Sequence, residues 1–251
     1  MKIEPVQEWQ IATVTSVNVE SPRVKLFKLE LGSETKFRAG QYFDIRLTAP
    51  DGYQAQRSYS VTSSPEDART IELAIELIPD GEVSSYFHEY VEPGDQIELR
   101  GPIGGHFTLS PNFTKPVLLI AGGSGIAPII SMLRHRRSST RVAPTAVIFS
   151  ARTESDILFG TELAEMSDED PNLHLTITLT RSKSESVATS SAPRETRRID
   201  RPMIDSTIDS LGEQPARAYV CGGTDFVETI GNHLLDIGMA YDDVRTERFG
   251  P

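Results

Sequence analysis

Gly123-Ser124-Gly125 lies between an unbroken apolar run, Val117 to Ala121, and a helix-like stretch that begins at about Ile126 to Pro128. Glycines there let the backbone approach a diphosphate closely. The helix start adds unpaired N–H groups and the positive end of the helix dipole. Pro128 suits a first helical turn, where a missing N–H costs nothing. The spacing is G-x-G-x-x-P, and a plain tight connection is the alternative reading. The overlapping Gly122-Gly123-Ser124-Gly125 fails the G-x-S-x-G pattern of a hydrolase elbow at its fifth position, Ile126, so Ser124 is not read as a nucleophile. A second cluster is Arg57-Ser58-Tyr59-Ser60. A cation, an aromatic ring and a hydroxyl along a strand could bind an anion, stack on a flat ring and hydrogen-bond its edge, though an ordinary strand would read the same way. A third is Gly81-Glu82-Val83-Ser84-Ser85, which opens a short helix whose first N–H groups suit another diphosphate.

These residues need two kinds of scaffold. Ahead of residue 112, Ile11 to Val19, Val24 to Leu31 and Tyr42 to Leu47 are rich in β-branched and aromatic residues, and Ile71, Leu73, Ile75 and Leu77 alternate with Glu72, Ala74 and Glu76. Turn signals separate the runs, at Ser21-Pro22, Ala39-Gly40, Pro50-Asp51-Gly52, Pro79-Asp80-Gly81 and Pro93-Gly94-Asp95. Many short strands predict an antiparallel β-barrel, with one short helix over Val83 to Tyr90. Beyond Pro111-Asn112 strands alternate with helices. Strands are predicted at Val117–Ala121, Ala146–Ser150, Leu173–Leu179, Ala218–Cys221 and Val244–Phe249. Helices are predicted from Ile126 through Arg137, over Asp156–Met166 and over Asp225–Ile237. That alternation predicts an α/β domain with a parallel sheet. The expected division is 1–112 and 113–251, with a long Ser/Thr-rich loop from Ser182 to Glu195.

The 251 residues carry 25 Lys+Arg against 36 Asp+Glu, a net charge of −11 that argues against a nucleic-acid partner. A single cysteine, Cys221, cannot form an internal disulfide, a zinc finger or an iron–sulfur cluster of its own, which fits a reducing compartment. Five scattered histidines show no ligand spacing, so no metal site is expected. The N-terminus has no signal-peptide core, and no apolar run approaches the roughly 18 residues of a membrane helix. A soluble, cytoplasmic, monomeric two-domain chain is the expectation.

Taken in order, the motifs resemble those of the ferredoxin–NADP(+) reductase family of flavoproteins over nearly the whole chain. Arg57-x-Tyr59-Ser60 resembles its flavin motif, which implies Arg57 on the flavin phosphate, Tyr59 against the ring face and Ser60 near flavin N5. Gly81 to Ser85 resembles the helix start that holds the flavin diphosphate. Gly101-Pro102-Ile103-Gly104 resembles the G-P-x-G that closes the barrel. Gly123 to Pro128 resembles the nicotinamide-dinucleotide diphosphate loop. Tyr219-Val220-Cys221-Gly222-Gly223 resembles the motif whose cysteine lies beside the nicotinamide. Glu247-Arg248-Phe249 resembles the terminal acid-x-aromatic behind the flavin. Two departures stand out: the aromatic is Phe249 where tyrosine is common, and Gly250-Pro251 follow it.

The resemblance implies a flavin-dependent oxidoreductase. Hydride passes from NADPH to bound FAD, and electrons pass on to a one-electron carrier such as ferredoxin or flavodoxin. Ser60, Cys221 and Glu247 would shape the transfer site. FAD is expected over FMN. NADP(H) is expected over NADH because Arg152 and Arg181 follow the second and third strands of the α/β half, where a 2′-phosphate needs cations, and Arg198 resembles a third nucleotide-binding arginine. A reductase of small diffusible acceptors, such as free flavin or quinone, is the second reading, and a non-catalytic flavin-binding relay or sensor is the third. The run Arg134-His135-Arg136-Arg137 with Arg141 reads as dipole compensation at a helix end, or as a dock for an acidic carrier.

Overall fold

A computed structural model describes residues 8–110, 112–139, 143–181 and 194–250. Two compact units divide between Leu109 and Ser110. The first unit is built on strands β1 (Gln10–Ser21), β2 (Val24–Leu31), β3 (Tyr42–Thr48), β4 (Gln54–Ser60), β5 (Thr70–Glu76) and, after helix α1 (Glu82–Glu89), β6 (Gln96–Ile103). They form one antiparallel sheet in the order β4-β3-β6-β1-β2-β5. Its ends meet at a bridge between Val61 and Leu73, reinforced by Thr62 N donating to Glu72 O at 2.8 Å, so the sheet closes into a barrel. Alternation explains the interior: Phe43 and Ile45 of β3, Ile71, Leu73 and Ile75 of β5, and Ile97 and Leu99 of β6 are fully or almost fully buried. The helix α1 covers the barrel through Val83 and Phe87, and Phe87 meets Phe27 edge-on at 5.0 Å.

Strand β6 was not among the predicted runs, because Gly101-Pro102 reads as turn chemistry. The Gly101–Pro102 bond is cis, and a Cβ on Gly101 would stand 2.5 Å from the Phe43 ring. The glycine is therefore demanded by packing inside a strand rather than by a turn.

The second unit holds β7 (Val117–Gly122), α2 (Ile126–Arg137), β8 (Thr145–Ala151), α3 (Gly160–Glu169), β9 (Leu173–Leu179), the two-residue β10 (Arg194–Glu195), α4 (Arg201–Ser210), β11 (Arg217–Gly223), α5 (Thr224–Asp236) and β12 (Val244–Phe249). The sheet is parallel, in the order β10-β9-β8-β7-β11-β12. The chain steps outward from β7 to β10, then returns to the other side of β7. The strand order therefore reverses between β7 and β11. One face of the sheet packs on α4 and α5 through Leu118, Ile120, Ala218 and Val220.

Helix α4 was also missed. Its start is marked by Asp200, whose side chain accepts from Met203 N at 3.0 Å, and by Pro202 in the first turn. The Ser/Thr-rich stretch ahead of it obscured both signals. The expected helix over Asp156–Met166 is instead a short 3-10 turn, Glu154–Asp156, followed by α3. Phe159, in the left-handed region at φ 56°, separates the two. The expected Ser182–Glu195 loop lies outside the described residues except for Arg194 and Glu195, which are strand.

Candidate functional site

In the first unit, β4 carries Arg57, Ser58, Tyr59 and Ser60, and the strand alternation divides them between two faces. Tyr59 packs against the barrel core and sits 6.4 Å from Phe87. Burial, opposed by the Arg57 charge, pushes its phenol up to about 12, so it stays neutral. Arg57 is exposed, and its charge also reaches Tyr53. The Tyr53 hydroxyl in turn donates to the Glu82 carboxylate at 2.9 Å, in the first turn of α1. Ser60 is buried. Ser58 differs from the rest: its hydroxyl donates to Asp44 Oδ1 at 2.6 Å.

No side chain caps the N-terminus of α1, which leaves its first N–H groups for another acceptor. Gly81 fits tightly there, since a Cβ would stand 2.6 Å from Ser84 Oγ and 3.0 Å from the Ile78 carbonyl oxygen. The Ser84 hydroxyl is taken up inside this turn, accepting from Ile78 N at 3.2 Å. The Ser85 hydroxyl has no partner among the described residues. An uncapped helix start, a hydroxyl and a nearby guanidinium fit a diphosphate.

In the second unit the candidate residues gather where the strand order reverses, the place where open α/β sheets bind ligands. Gly123–Gly125 forms a 3-10 turn after β7 and leads into α2, and neither helical start has a side-chain cap. Gly123 adopts φ 56°. A Cβ on Gly125 would lie 2.3 Å from the Cys221 carbonyl oxygen, so only glycine lets this turn rest against β11. Phe226 fills the space beside Gly122 and Gly222; a Cβ on Gly222 would meet its ring at 2.7 Å. Cys221 is fully buried and stands in register with Glu247, as Gly223 does with Phe249. Burial first, and the Glu247 charge second, raise the Cys221 thiol well above its ordinary value. The group is a neutral thiol, not a nucleophile.

Residues 11–108 match the oxidoreductase FAD-binding domain, and residues 119–231 match the oxidoreductase NAD-binding domain. Ferredoxin–NADP reductase B of Sorangium cellulosum is 33% identical over 172 residues, which cover 68% of this chain and 69% of that protein. The chain belongs to the ferredoxin–NADP(+) reductase family. The reductase component of the naphthalene 1,2-dioxygenase/salicylate 5-hydroxylase systems of a Ralstonia species, a ferredoxin–NAD(P)(+) reductase by name, is 27% identical over 95% of this chain and 68% of its own length. The chain therefore spans about two thirds of that relative. The solved ferredoxin NADP+ reductase of Neisseria gonorrhoeae, with bound FAD and NADP, shares the fold at a TM-score of 0.79 and 24% identity, covering 96% of this chain and 98% of that one. As a member of this family the chain is an FAD- and NAD(P)-binding oxidoreductase.

The arginines of this reductase separate by what they already hold. Arg152 and Arg181 lie just past the C-terminal ends of β8 and β9, joined by Arg181 N donating to Arg152 O at 2.8 Å. Both are exposed, and neither side chain has a partner among the described residues. Arg198, in the bend between β10 and α4, is likewise exposed. Arg194 and Arg197, by contrast, are committed to Glu154 and to Glu195 and Asp200.

The basic run at the end of α2 serves packing instead. Arg134 pairs with Glu162 at 2.7 Å, and Arg137 with Glu169 at 2.6 Å. Arg136 is buried against Asp170, the Ala143 and Asn172 carbonyls and Thr145. Arg141 lies outside the described residues. Neither Tyr53 nor the Asp44–Ser58 contact was read from the sequence. Tyr53 sits in the Pro50-Asp51-Gly52 turn, whose composition signals only a bend. No helix among the described residues is long and apolar enough to cross a membrane.

Proposed function

We propose that this reductase takes hydride from NADPH onto FAD and passes the electrons singly to a protein carrier, a ferredoxin or a flavodoxin. The observation that carries the reading is the seat of Gly125 against the Cys221 carbonyl at the point of strand reversal. It leaves a bare backbone turn facing two uncapped helical starts, which suits a dinucleotide diphosphate. In this reading the second unit holds the nicotinamide dinucleotide. Gly123, Ser124 and Gly125 cradle its diphosphate, and Cys221, Gly222 and Gly223 line the nicotinamide place. Glu247 and Phe249, on the neighbouring strand, complete that wall.

The first unit holds the flavin. Arg57 and the α1 start, Gly81, Glu82, Val83, Ser84 and Ser85, hold its phosphates. Tyr59 offers a ring face and Ser60 a hydroxyl. FAD, when bound, supplies the capacity to accept two electrons together and release them one by one. The chain's part is to orient the two ring systems and exclude water. Cys221, kept protonated by burial and by Glu247, packs beside the transfer site without forming a bond to substrate.

The uncommitted Arg152 and Arg181 support NADPH over NADH, as cations for a 2′-phosphate, with Arg198 as a third. A ferredoxin as acceptor rests on the names of the Sorangium and Ralstonia relatives. The test is anaerobic mixing of the FAD-reconstituted chain with NADPH, followed by addition of ferredoxin or free FMN. Rapid loss of flavin absorbance and saturable ferredoxin reduction are expected. A chain that takes up no flavin, or whose flavin NADPH leaves oxidised, overturns the reading. Saturation by free FMN alone assigns it to small acceptors.

A further inference from the structure

Ser58 is the one residue of the Arg57–Ser60 motif without a part in the reading above. Its hydroxyl donates to Asp44 Oδ1 at 2.6 Å, and Arg100 Nη2 donates to Asp44 Oδ2 at 2.7 Å. The strand register sets Ser58 opposite Asp44 and Asp44 opposite Arg100. The three side chains thus form one rung across β4, β3 and β6. Asp44 is only 6% exposed, and each of its carboxylate oxygens has a donor. A second rung runs beside it, where Arg46 Nε donates to Glu98 at 2.7 Å. The Trp9 ring lies over both guanidinium groups, with its centroid 4.0 Å from Arg46 and 4.9 Å from Arg100.

Strand β4 needs such support. It ladders only with β3, and it reaches β5 only just past its own end, through the Val61–Leu73 bridge and the Thr62–Glu72 hydrogen bond. Along most of its length one edge of β4 has no strand partner. A hydrogen bond to a buried, paired carboxylate is stronger and more directional than a neutral one. Because side chains alternate, holding Ser58 down on one face fixes the pitch at which Arg57 and Tyr59 leave the other.

We propose that Asp44, held by Arg100, is a positioning residue for the flavin: it clamps Ser58 and so sets Arg57, Tyr59 and Ser60 without touching the cofactor. This rests on the reading that β4 carries the flavin.

The test uses the full chain with Asp44→Ala, Asp44→Asn, Ser58→Ala and Arg100→Gln, in three measurements. Backbone hydrogen exchange without flavin should quicken at residues 57–60 and stay unchanged in β2 and β5. FAD release should be about tenfold faster in Asp44→Ala. The limiting rate of flavin bleaching should fall while half-saturation by NADPH holds. Asp44→Asn keeps one acceptor but turns an amide NH2 on the other donor, so it should fall between the parent and Asp44→Ala. Should Asp44→Ala fail to fold, Ser58→Ala decides, since it leaves the Asp44–Arg100 pair in place. Wild-type exchange at 57–60 in Ser58→Ala, or exchange raised equally throughout the barrel in the Asp44 variants, overturns the proposal. If the unaltered chain takes up no FAD, the functional reading falls, and exchange at 57–60 alone still decides whether the clamp exists.

Discussion

Cys221 is enclosed between β7 and β12 with Glu247 as its charged neighbour, and both conditions disfavour a thiolate. Its folded pKa is raised, so its contribution to stability is fully present below the ordinary thiol value of 9.0 and is lost as the pH rises through the folded value. Denaturant unfolding at pH 8 and pH 10 should therefore show a smaller alkaline loss for Cys221→Ala than for the parent chain. Equal losses would assign the alkaline sensitivity to other groups. The two arginines past β8 and β9 make a second prediction at this scale. Arg152→Ala and Arg181→Ala should each lower kcat/KM for NADPH about tenfold, the worth of one charge-assisted phosphate contact, and leave the NADH value within about twofold. A matching fall for both coenzymes would remove the 2′-phosphate assignment.

At the scale of elements, the turn after β7 is set by contact and not by glycine flexibility alone. Gly123 needs its positive φ but faces open space, whereas Gly125 is pressed on the β11 backbone. Gly125→Ala should cost about 1–3 kcal/mol of stability, as overpacking does, and should abolish tight NADPH binding. Gly123→Ala should cost about 1 kcal/mol, the strain of a left-handed residue with a Cβ. Equilibrium unfolding and NADPH titration separate the two. Helices α2 and α3 are tied by Arg134–Glu162, Arg136–Asp170 and Arg137–Glu169. Burial is the largest single influence on the Asp170 carboxylate and works against it, but the hydrogen bonds from Arg136 and the Asn172 backbone, with the charges of Arg136 and His174, together outweigh it and hold its pKa below the ordinary 3.8. That contribution is present above 3.8 and is lost as the pH falls through the lowered value. Asp170→Asn should accordingly flatten the acid limb of stability. Arg136→Met should cost about 2 kcal/mol near neutrality, because the Asp170 carboxylate and two carbonyls lose their donor.

On the scale of the whole molecule, two compact units with separate cores should melt in a way that ligand binding can distinguish. FAD at about a hundred times its Kd should stabilise the unit that binds it by about 2.7 kcal/mol. Calorimetry should show that gain in the barrel's transition, and NADP(+) should act on the other. The sequence determined by itself the two-part organisation and most of its elements, because alternation, helical starts and glycine-rich turns are local properties of consecutive residues; β6 and α4 escaped it because Gly101-Pro102 and the Ser/Thr-rich stretch before Asp200 masked those local signals. It also exposed the motifs of both units, since each sits on one strand or one turn. Only the tertiary structure decided what those motifs rest on. The run Arg134–Arg137, read from the sequence as dipole compensation or a dock, takes its acids Glu162, Glu169 and Asp170 from α3 and the residue that ends it. The clamp on Ser58 joins strands 14 and 56 residues apart in the chain. Gly125 meets Cys221 because β11 inserts beside β7. Pairings of this kind depend on strand order and register, which no local periodicity encodes.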